Sequence, residues 1–477
     1  MNEKKLPAAF LRLLAFLLAL VLTVSLPLGV LACCSLGLPE QYGQTYYAAM
    51  KLKLDRLKNT PGSRLVVIGG SSVAFGIDSR IAEAELGMPC INFGLYAAFG
   101  LKVMLDLSLP DLHEGDIVVI APELSSQMYS DFVGHSYVLQ ALEGRPEIYA
   151  RLDGDYVAGF LNALPAYFAE KQRFAREGSP KPEGVYSIGA FDSYGDVVYD
   201  RPENIMDGMV ASDSLPEIVP ELVTDSFAEM INNYVSAASA KGAAVYFGFC
   251  PVNRLAVELT QTDPEGLVEA LTEKLHCPVI ASLEDHILDP GYFYDSNLHM
   301  NNAGMVCNTV LLVNDIKRVR GEMTLTNTEI PAPVTGSGAS DILSSGAFEG
   351  FLYDITAQGA VITGLNEAGV EKEVLTVPSA IEGFGVYKIG GDAFAGCAAA
   401  VIEIPGSVSV LGTGLFRDAA NLTQVRLLSE KLPEVGDGLM AGAARDLVVY
   451  VPGDLYSDYV TDYFWGRYGQ WLKPMEG

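Results

Sequence analysis

The stretch that decides the fold is LVVIGGSSVAFGIDS, Leu65 to Ser79. Its first half is an unbroken aliphatic run, which is typical of a parallel strand covered on both faces. Two glycines and two serines, Gly69 to Ser72, then follow at the end of that strand. This turn is either a strand-to-helix connection with a helix cap or the position of a serine nucleophile, because parallel sheets bind ligands beyond the carboxyl ends of their strands.

Further apolar runs recur along the chain and are separated by helix-like segments. This alternation predicts an α/β fold with a parallel sheet. A long aromatic-rich insertion, about residues 125–220, interrupts the alternation between the third and fourth strands and is typical of a lid or subdomain. The further predicted strands are Pro89–Gly94, Asp116–Glu123, Ala243–Pro251 and Pro278–Ala281.

The N-terminal segment, residues 1–39, has the composition of a membrane anchor or an export signal. Lys4, Lys5 and Arg12 precede a stretch that meets no charge until Glu40. About 20 apolar residues span a bilayer, and a basic flank stays inside. We therefore expect a single-pass transmembrane helix in the plasma membrane, with the body of the protein outside the cytoplasm. A cleaved signal peptide remains an alternative, as does a lipid anchor on Cys33.

The C-terminal third has a different texture. Residues 321–343 are rich in Thr, Pro, Gly and Ser and are predicted to be a linker. Beyond them, three segments share a template whose apolar anchors, Phe394, Phe416 and Met440, are 22 and 24 residues apart. This spacing is in the range of leucine-rich repeats, and these segments resemble the short repeats of bacterial surface antigens. Residues 344–477 are therefore predicted to form a repeat solenoid.

Composition excludes some functions. The formal net charge of −28 argues against a nucleic-acid partner, because phosphate binding needs a basic surface. The cysteines and histidines lack metal-site spacing, and no phosphate-binding loop of the Walker type occurs. We therefore expect neither a metal ion nor another cofactor.

A base for a serine nucleophile is sought among the five histidines of the chain. His299 stands in FYDSNLHMNNAG, before the last predicted helix of the α/β region, and Asp295 lies four residues earlier. One interpretation is a polar turn in which Asn301 or Asn302 caps the helix. The other is an aspartate and a histidine on one loop, with the carboxylate fixing the imidazole tautomer.

Three blocks in this order, GGSSVAFGID, NFG and D…HMNNAG, resemble those of an SGNH/GDSL-type hydrolase. The resemblance covers roughly Arg64 to Val319 and assigns residues 40–320 to a hydrolase-like domain. It implies a flavodoxin-like, three-layer αβα sandwich and a Ser-His-Asp triad. The implied chemistry is ester hydrolysis or acyl transfer.

The resemblance also implies roles for individual residues. Ser71 takes the nucleophile position, and its backbone N–H would be one donor of the oxyanion hole. Gly94 matches the block that supplies a second N–H donor. His299 takes the position of the general base, and Asp295 that of the acid that orients it.

Two departures from the family pattern concern the oxyanion hole and the orienting acid. Glu123 stands near the position where the family offers an asparagine side chain, and Asn253 is the candidate substitute. Asp295 and His299 are separated by one residue more than the usual Asp-x-x-His spacing.

We therefore expect an extracytoplasmic serine esterase or O-acyltransferase that acts on an acylated cell-envelope glycan. Its partners would be the membrane, through the N-terminal helix, and a glycan or surface protein, through the repeats. The alternative is a catalytically degenerate surface protein that works in adhesion or assembly through its repeat domain.

Overall fold

The structure is a computed structural model, and it describes most of the chain from residue 38 onward. The described ranges are residues 38–152, 154–212, 214–322, 324–335, 342–356, 358–436, 438–444, 446–462 and 465–475, with Phe16, Ala19 and Thr23.

The prediction of a transmembrane helix requires correction. None of the helices in the described ranges combines the length and apolar composition that a membrane crossing needs. The expected single-pass plasma-membrane location is therefore not supported. The segment on which this prediction was made, residues 1–39, lies almost wholly outside the described residues.

A parallel sheet of four strands is the centre of the first part of the chain, with the strand order β2-β1-β3-β4. Strand β1 pairs with β2 on one side and β3 on the other, so that Gly69 lies opposite Gly94. The run around Val279 adds only a parallel bridge to Phe247, and a separate pair, β5 with β6, lies outside this sheet. The strands are β1 Leu65–Gly69, β2 Cys90–Gly94, β3 Ile117–Ile120, β4 Ala244–Phe247, β5 Val252–Asn253 and β6 Ile287–Leu288.

Helices cover both faces of this sheet, because its strands are apolar on both sides. Val66 and Ile68 point into the larger cluster with α1, α4 and α7, whereas Leu65 and Val67 point into a smaller cluster with α3 and α10. The helices of this part are α1 Ala49–Asn59, α2 Ser71–Gly76, α3 Ser79–Leu86, α4 Leu101–Ser108, α5 His135–Ala141, α6 Tyr156–Glu177, α7 Asp225–Ser239, α8 Arg254–Glu258, α9 Pro264–Lys274 and α10 Asn302–Val319.

The C-terminal part contains two further sheets. One is parallel, with the order β10-β13-β15-β17-β18, and the other is mixed, with the order β16-β14-β12-β9-β8-β7 and β11 paired to β12. The strands are β7 Ser344–Phe348, β8 Phe351–Ile355, β9 Ala360–Leu365, β10 Val374–Thr376, β11 Ala380–Ile381, β12 Phe384–Ile389, β13 Val401–Ile404, β14 Val410–Leu411, β15 Gln424–Leu427, β16 Glu434–Val435, β17 Val448–Val451 and β18 Leu472–Pro474. The helices are α11 Glu367–Val370 and α12 Tyr456–Thr461.

Each of the three template segments contributes one short strand to each of the two sheets. The anchors Phe394, Phe416 and Met440 lie between the sheets in one buried cluster, which Tyr459 and Trp465 join near the end of the chain. The region also begins with an antiparallel meander, β7-β8-β9, that the repeat spacing did not indicate.

The predicted fold class is thus wrong as a whole. The described chain has a mixed α/β content in several sheets, some parallel and one mixed, and these described residues include no transmembrane helix. The repeat pattern missed the meander because its antiparallel strands do not follow the repeat spacing.

Candidate active site

The carboxyl ends of β1, β2 and β3 meet at one edge of the parallel sheet. Their close approach depends on glycine: a Cβ atom on Gly69 would lie 2.5 Å from the carbonyl oxygen of Ala121. A Cβ atom on Gly94 would lie 2.6 Å from the carbonyl oxygen of Gly70 and would collide with Val73. The serine turn therefore packs directly against the end of β2.

Ser71 is the first residue of α2, and its side chain faces the carboxylate of Glu123. Glu123 follows β3 and is only 2% exposed. Its Oε2 accepts from the backbone N–H of Gly70 (3.1 Å), and its Oε1 accepts from the N–H of Ser72 (2.9 Å) and, at 3.4 Å, from the Ser71 hydroxyl. A carboxylate thus holds backbone donors of the kind that stabilise an oxyanion.

A tight turn brings Asp295 and His299 together. An antiparallel bridge joins Phe293 and Met300, and the N–H of Tyr294 donates to the carbonyl oxygen of His299 at 2.8 Å. Inside this turn, Oδ1 of Asp295 lies 2.8 Å from Nδ1 of His299. The four-residue spacing therefore suits a closed turn, and the extra residue does not separate the two side chains.

The hydrogen bonds of this pair define the imidazole tautomer. A carboxylate only accepts, so Nδ1 of His299 carries the hydrogen and Nε2 is left as an acceptor. Tyr186 reinforces the arrangement, because its hydroxyl donates to Oδ2 of Asp295 and lies 3.2 Å from Nδ1 of His299. An acceptor at Nε2 is what a general base requires.

The ring of His299 stacks on Phe75, with ring centroids 4.2 Å apart and planes 13° from parallel. Phe75 lies four residues after Ser71 on α2, so both side chains lie on the same face of that helix. His299 and Ser71 are both nearly buried, at 5% and 6% exposure. The histidine therefore packs against the helix face that begins with the serine, although no hydrogen bond joins the two side chains among the described residues.

Arg201 ties the insertion to the His299 loop. Its buried guanidinium donates to the carbonyl oxygens of Met300 (3.0 Å), Val197 (3.1 Å) and Tyr199 (3.0 Å). Burial lowers the pKa of Arg201, and the charge of Asp295 opposes this effect. Burial also raises the pKa of Tyr46, with further contributions from Glu123 and Asp295.

The other predicted site residues have separate environments. The N–H of Gly94 makes a long bond, 3.3 Å, to the side chain of Asn92. Asn253 caps α8, because its Oδ1 accepts from Leu255 N–H, and its Nδ2 donates to Met209 and Asn297. Its amide is therefore engaged in structural bonds.

Asn301 caps α10, as one interpretation of the sequence expected.

The hydrogen bonds that Tyr186 and Glu123 make in the site were not predicted from the sequence. Tyr186 is 109 residues from Asp295, and no local pattern connects them. The sequence marks Glu123 only as a departure from a family pattern and carries no signal for its hydrogen bonds to the serine turn. Among the described residues, no group of three or more His, Cys, Asp and Glu side chains is arranged to hold a metal ion.

Comparison with known proteins adds little to this geometry. No family model matches the chain, and no curated protein matches it. Among solved structures, it is similar to a leucine-rich repeat protein from Bacteroides capillosus, with 16% identity and a TM-score of 0.19. That match covers 23% of this chain and 99% of the other.

Proposed function

We propose that this protein is a serine esterase or O-acyltransferase that acts on an acylated glycan, with Ser71 as nucleophile and His299 as base. The observation that supports it is the orientation of His299, whose Nδ1 is held by Asp295 while its ring packs on the helix that begins with Ser71. The glycan and the acyl chemistry come from the resemblance to SGNH/GDSL-type hydrolases. The cell-envelope location depended on the membrane helix and is not part of this proposal.

In the proposed reaction, Oγ of Ser71 attacks the ester carbonyl carbon, and Nε2 of His299 takes the hydroxyl proton. The carbonyl oxygen becomes an oxyanion, which collapses as the ester C–O bond breaks. The imidazolium returns the proton to the departing alcohol oxygen, which leaves an acyl-serine. Water or a sugar hydroxyl then attacks the acyl carbon, with His299 again taking and returning the proton.

Labelling of the full-length chain with a fluorophosphonate tests the nucleophile. We expect covalent labelling of the wild type at Ser71 and none in Ser71→Ala. Ser72→Ala is the matched control, because Ser72 is the adjacent serine and is fully buried. This variant should label at a rate within about threefold of the wild type. Wild-type protein that does not label between pH 6 and 9, or a Ser71→Ala variant that labels equally, would contradict the proposal.

Glu123 favours a second candidate, a catalytically degenerate scaffold that works through its repeats. Its carboxylate already bonds the N–H groups of Gly70 and Ser72, so an oxyanion there would meet a negative charge. Glu123→Ala distinguishes the two candidates. For an enzyme, removing the carboxylate beside Ser71 should raise the labelling rate about tenfold or more, because the developing oxyanion no longer meets a negative charge.

The same variant should lose stability, because buried N–H groups left without a partner cost about 1–3 kcal/mol each. The degenerate scaffold predicts this stability loss with no labelling before or after the substitution. Thermal unfolding of both proteins, measured beside the labelling, separates a folded but inert variant from an unfolded one.

A further inference from the structure

A cavity of about 410 Å³ lies between the α/β part and the repeat part of the molecule. Its walls come from the segment 181–186 of the insertion, from the loop with Tyr294 and Asp295, and from the repeat residues 410–413 and 430–436. This volume is within the range of about 300–1,000 Å³ that is usual for small-molecule sites. A ligand there would contact both parts of the chain at once.

The cavity reaches the candidate active site from the side of the orienting acid. Asp295 and Tyr186 line it, whereas Ser71 and His299 do not. The two lining residues hydrogen-bond to each other, and Asp295 holds Nδ1 of His299. An occupant would therefore lie on the Asp295 side of the imidazole, next to the candidate active site.

The cavity wall carries charged side chains of both signs. The lining side chains include six carboxylates and three lysines. On the repeat side, Lys388 and Glu434 both line the cavity; burial and the charge of Asp295 raise the pKa of Glu434, and the charge of Lys388 opposes this effect. The carboxylates are hydrogen-bond acceptors and the lysines are hydrogen-bond donors. A ligand with many hydroxyl groups can donate to the first and accept from the second.

An aromatic ring is available beside these charges. Tyr199 lines the cavity and is 41% exposed, although large aromatic side chains are usually buried. The backbone of Tyr199 is held in place, because the buried guanidinium of Arg201 donates to the carbonyl oxygen of Tyr199. A sugar ring has an apolar face that packs on such a surface while its hydroxyls reach the charged groups.

We propose that this cavity binds a saccharide segment of the substrate, with Tyr199 as its stacking surface and Lys388 and Glu434 as hydrogen-bonding partners from the repeats. This inference rests on the proposed function for the idea that the substrate is a glycan. It gives the repeat part a specific role, which is to form one wall of the saccharide site.

Titration of the full-length chain with four neutral oligosaccharides tests this site: chitotetraose, cellotetraose, maltotetraose and mannotetraose. Binding is measured by calorimetry and by saturation-transfer NMR. We expect at least one to bind, with affinity reduced about tenfold or more in Tyr199→Ala and within about twofold of wild type in Tyr199→Phe. Glu434→Gln and Lys388→Met should each weaken binding about threefold or more.

Glu373→Gln is the matched control, because Glu373 is an exposed glutamate of the repeat part outside the cavity lining. It should bind as the wild type does. The inference is overturned if none of the four saccharides binds, or if binding is unchanged in Tyr199→Ala. Melting curves exclude misfolding of the variants.

The same samples are labelled with the fluorophosphonate, so that the two proposals fail separately. Labelling at Ser71 without saccharide binding refutes the saccharide site and leaves the proposed hydrolase intact. Saccharide binding that depends on Tyr199, without labelling, supports the site and contradicts the catalytic function.

Discussion

Two buried aspartate–histidine pairs lie beside the same serine turn, and they differ in what surrounds them. In the first, Asp295 bonds Nδ1 of His299, and the pair borders the cavity of about 410 Å³ through Asp295. In the second, Asp315 lies 3.3 Å from Nε2 of His286, and both side chains are nearly fully buried. Residue type alone does not distinguish these pairs.

The second pair faces a space that is too small for a substrate. His286 and Ser72 line a cavity of about 20 Å³, and Nδ1 of His286 has no hydrogen-bond partner among the described residues. This volume suits about one water molecule. Asp315 also accepts from Arg318 at 2.7 Å, as expected of a structural ion pair. The size of the adjoining cavity, rather than composition, separates the candidate catalytic pair from the structural one.

The largest expected difference comes from the two histidines. His299→Ala should lower the rate of fluorophosphonate labelling and of p-nitrophenyl acetate hydrolysis by at least about 10³-fold, because the base is lost. His286→Ala should leave both rates within about threefold and lower the melting temperature. Equal rate losses in the two variants would show that the comparison is wrong.

The two aspartates should differ by a smaller factor. Asp295→Asn removes the acceptor that fixes the tautomer of His299, and we expect a rate loss of about 10²–10⁴-fold. Asp315→Asn should instead weaken the bonds to His286 and Arg318 and cost about 1–3 kcal/mol of stability. Denaturant unfolding and hydrolysis rates, measured on both variants, check this division. An Asp315→Asn variant with slow chemistry and unchanged stability would contradict it.

The smallest effect concerns the helix α10, which follows His299 and carries Asp315. Lys317 of this helix bonds Glu85 of α3 at 2.8 Å, and bonds from Lys317 and from nearby threonines lower the pKa of Glu85 from 4.5 to about 2. The hydrogen bonds that lower the pKa of Glu85 stabilise the fold above pH 4.5, where the carboxyl group is ionised. This stabilisation disappears as the pH falls toward 2.

Glu85→Gln should therefore reduce the free energy of unfolding near neutral pH by less than about 1 kcal/mol, since the pair is partly exposed. The difference from the wild type should vanish between pH 4.5 and 2. Urea unfolding across this pH range measures it. A difference that persists at the acidic end would mean that the glutamine acts by disturbing packing.

The local features of this molecule were predictable from the sequence. The strand β1, the serine turn and the Asp295–His299 loop each lie within a few residues, where alternation of apolar runs and turn chemistry are informative. The contacts of Tyr186 and Glu123 with the site depend on how distant segments pack, and one sequence carries no signal for them. The N-terminal prediction is corrected by the described helices, none of which could span a membrane.

The shared cavity wall has a consequence for how the ligand preference of this protein can evolve. Residues 410–413 and 430–436 form one side of the cavity, and Tyr186 and Asp295 form the other. Exchange of the repeat part for that of another protein would leave the aspartate–histidine turn intact but rebuild the surface opposite it. Recombination at the segment 321–343 is therefore a route to a new ligand preference without any change in the residues around Ser71.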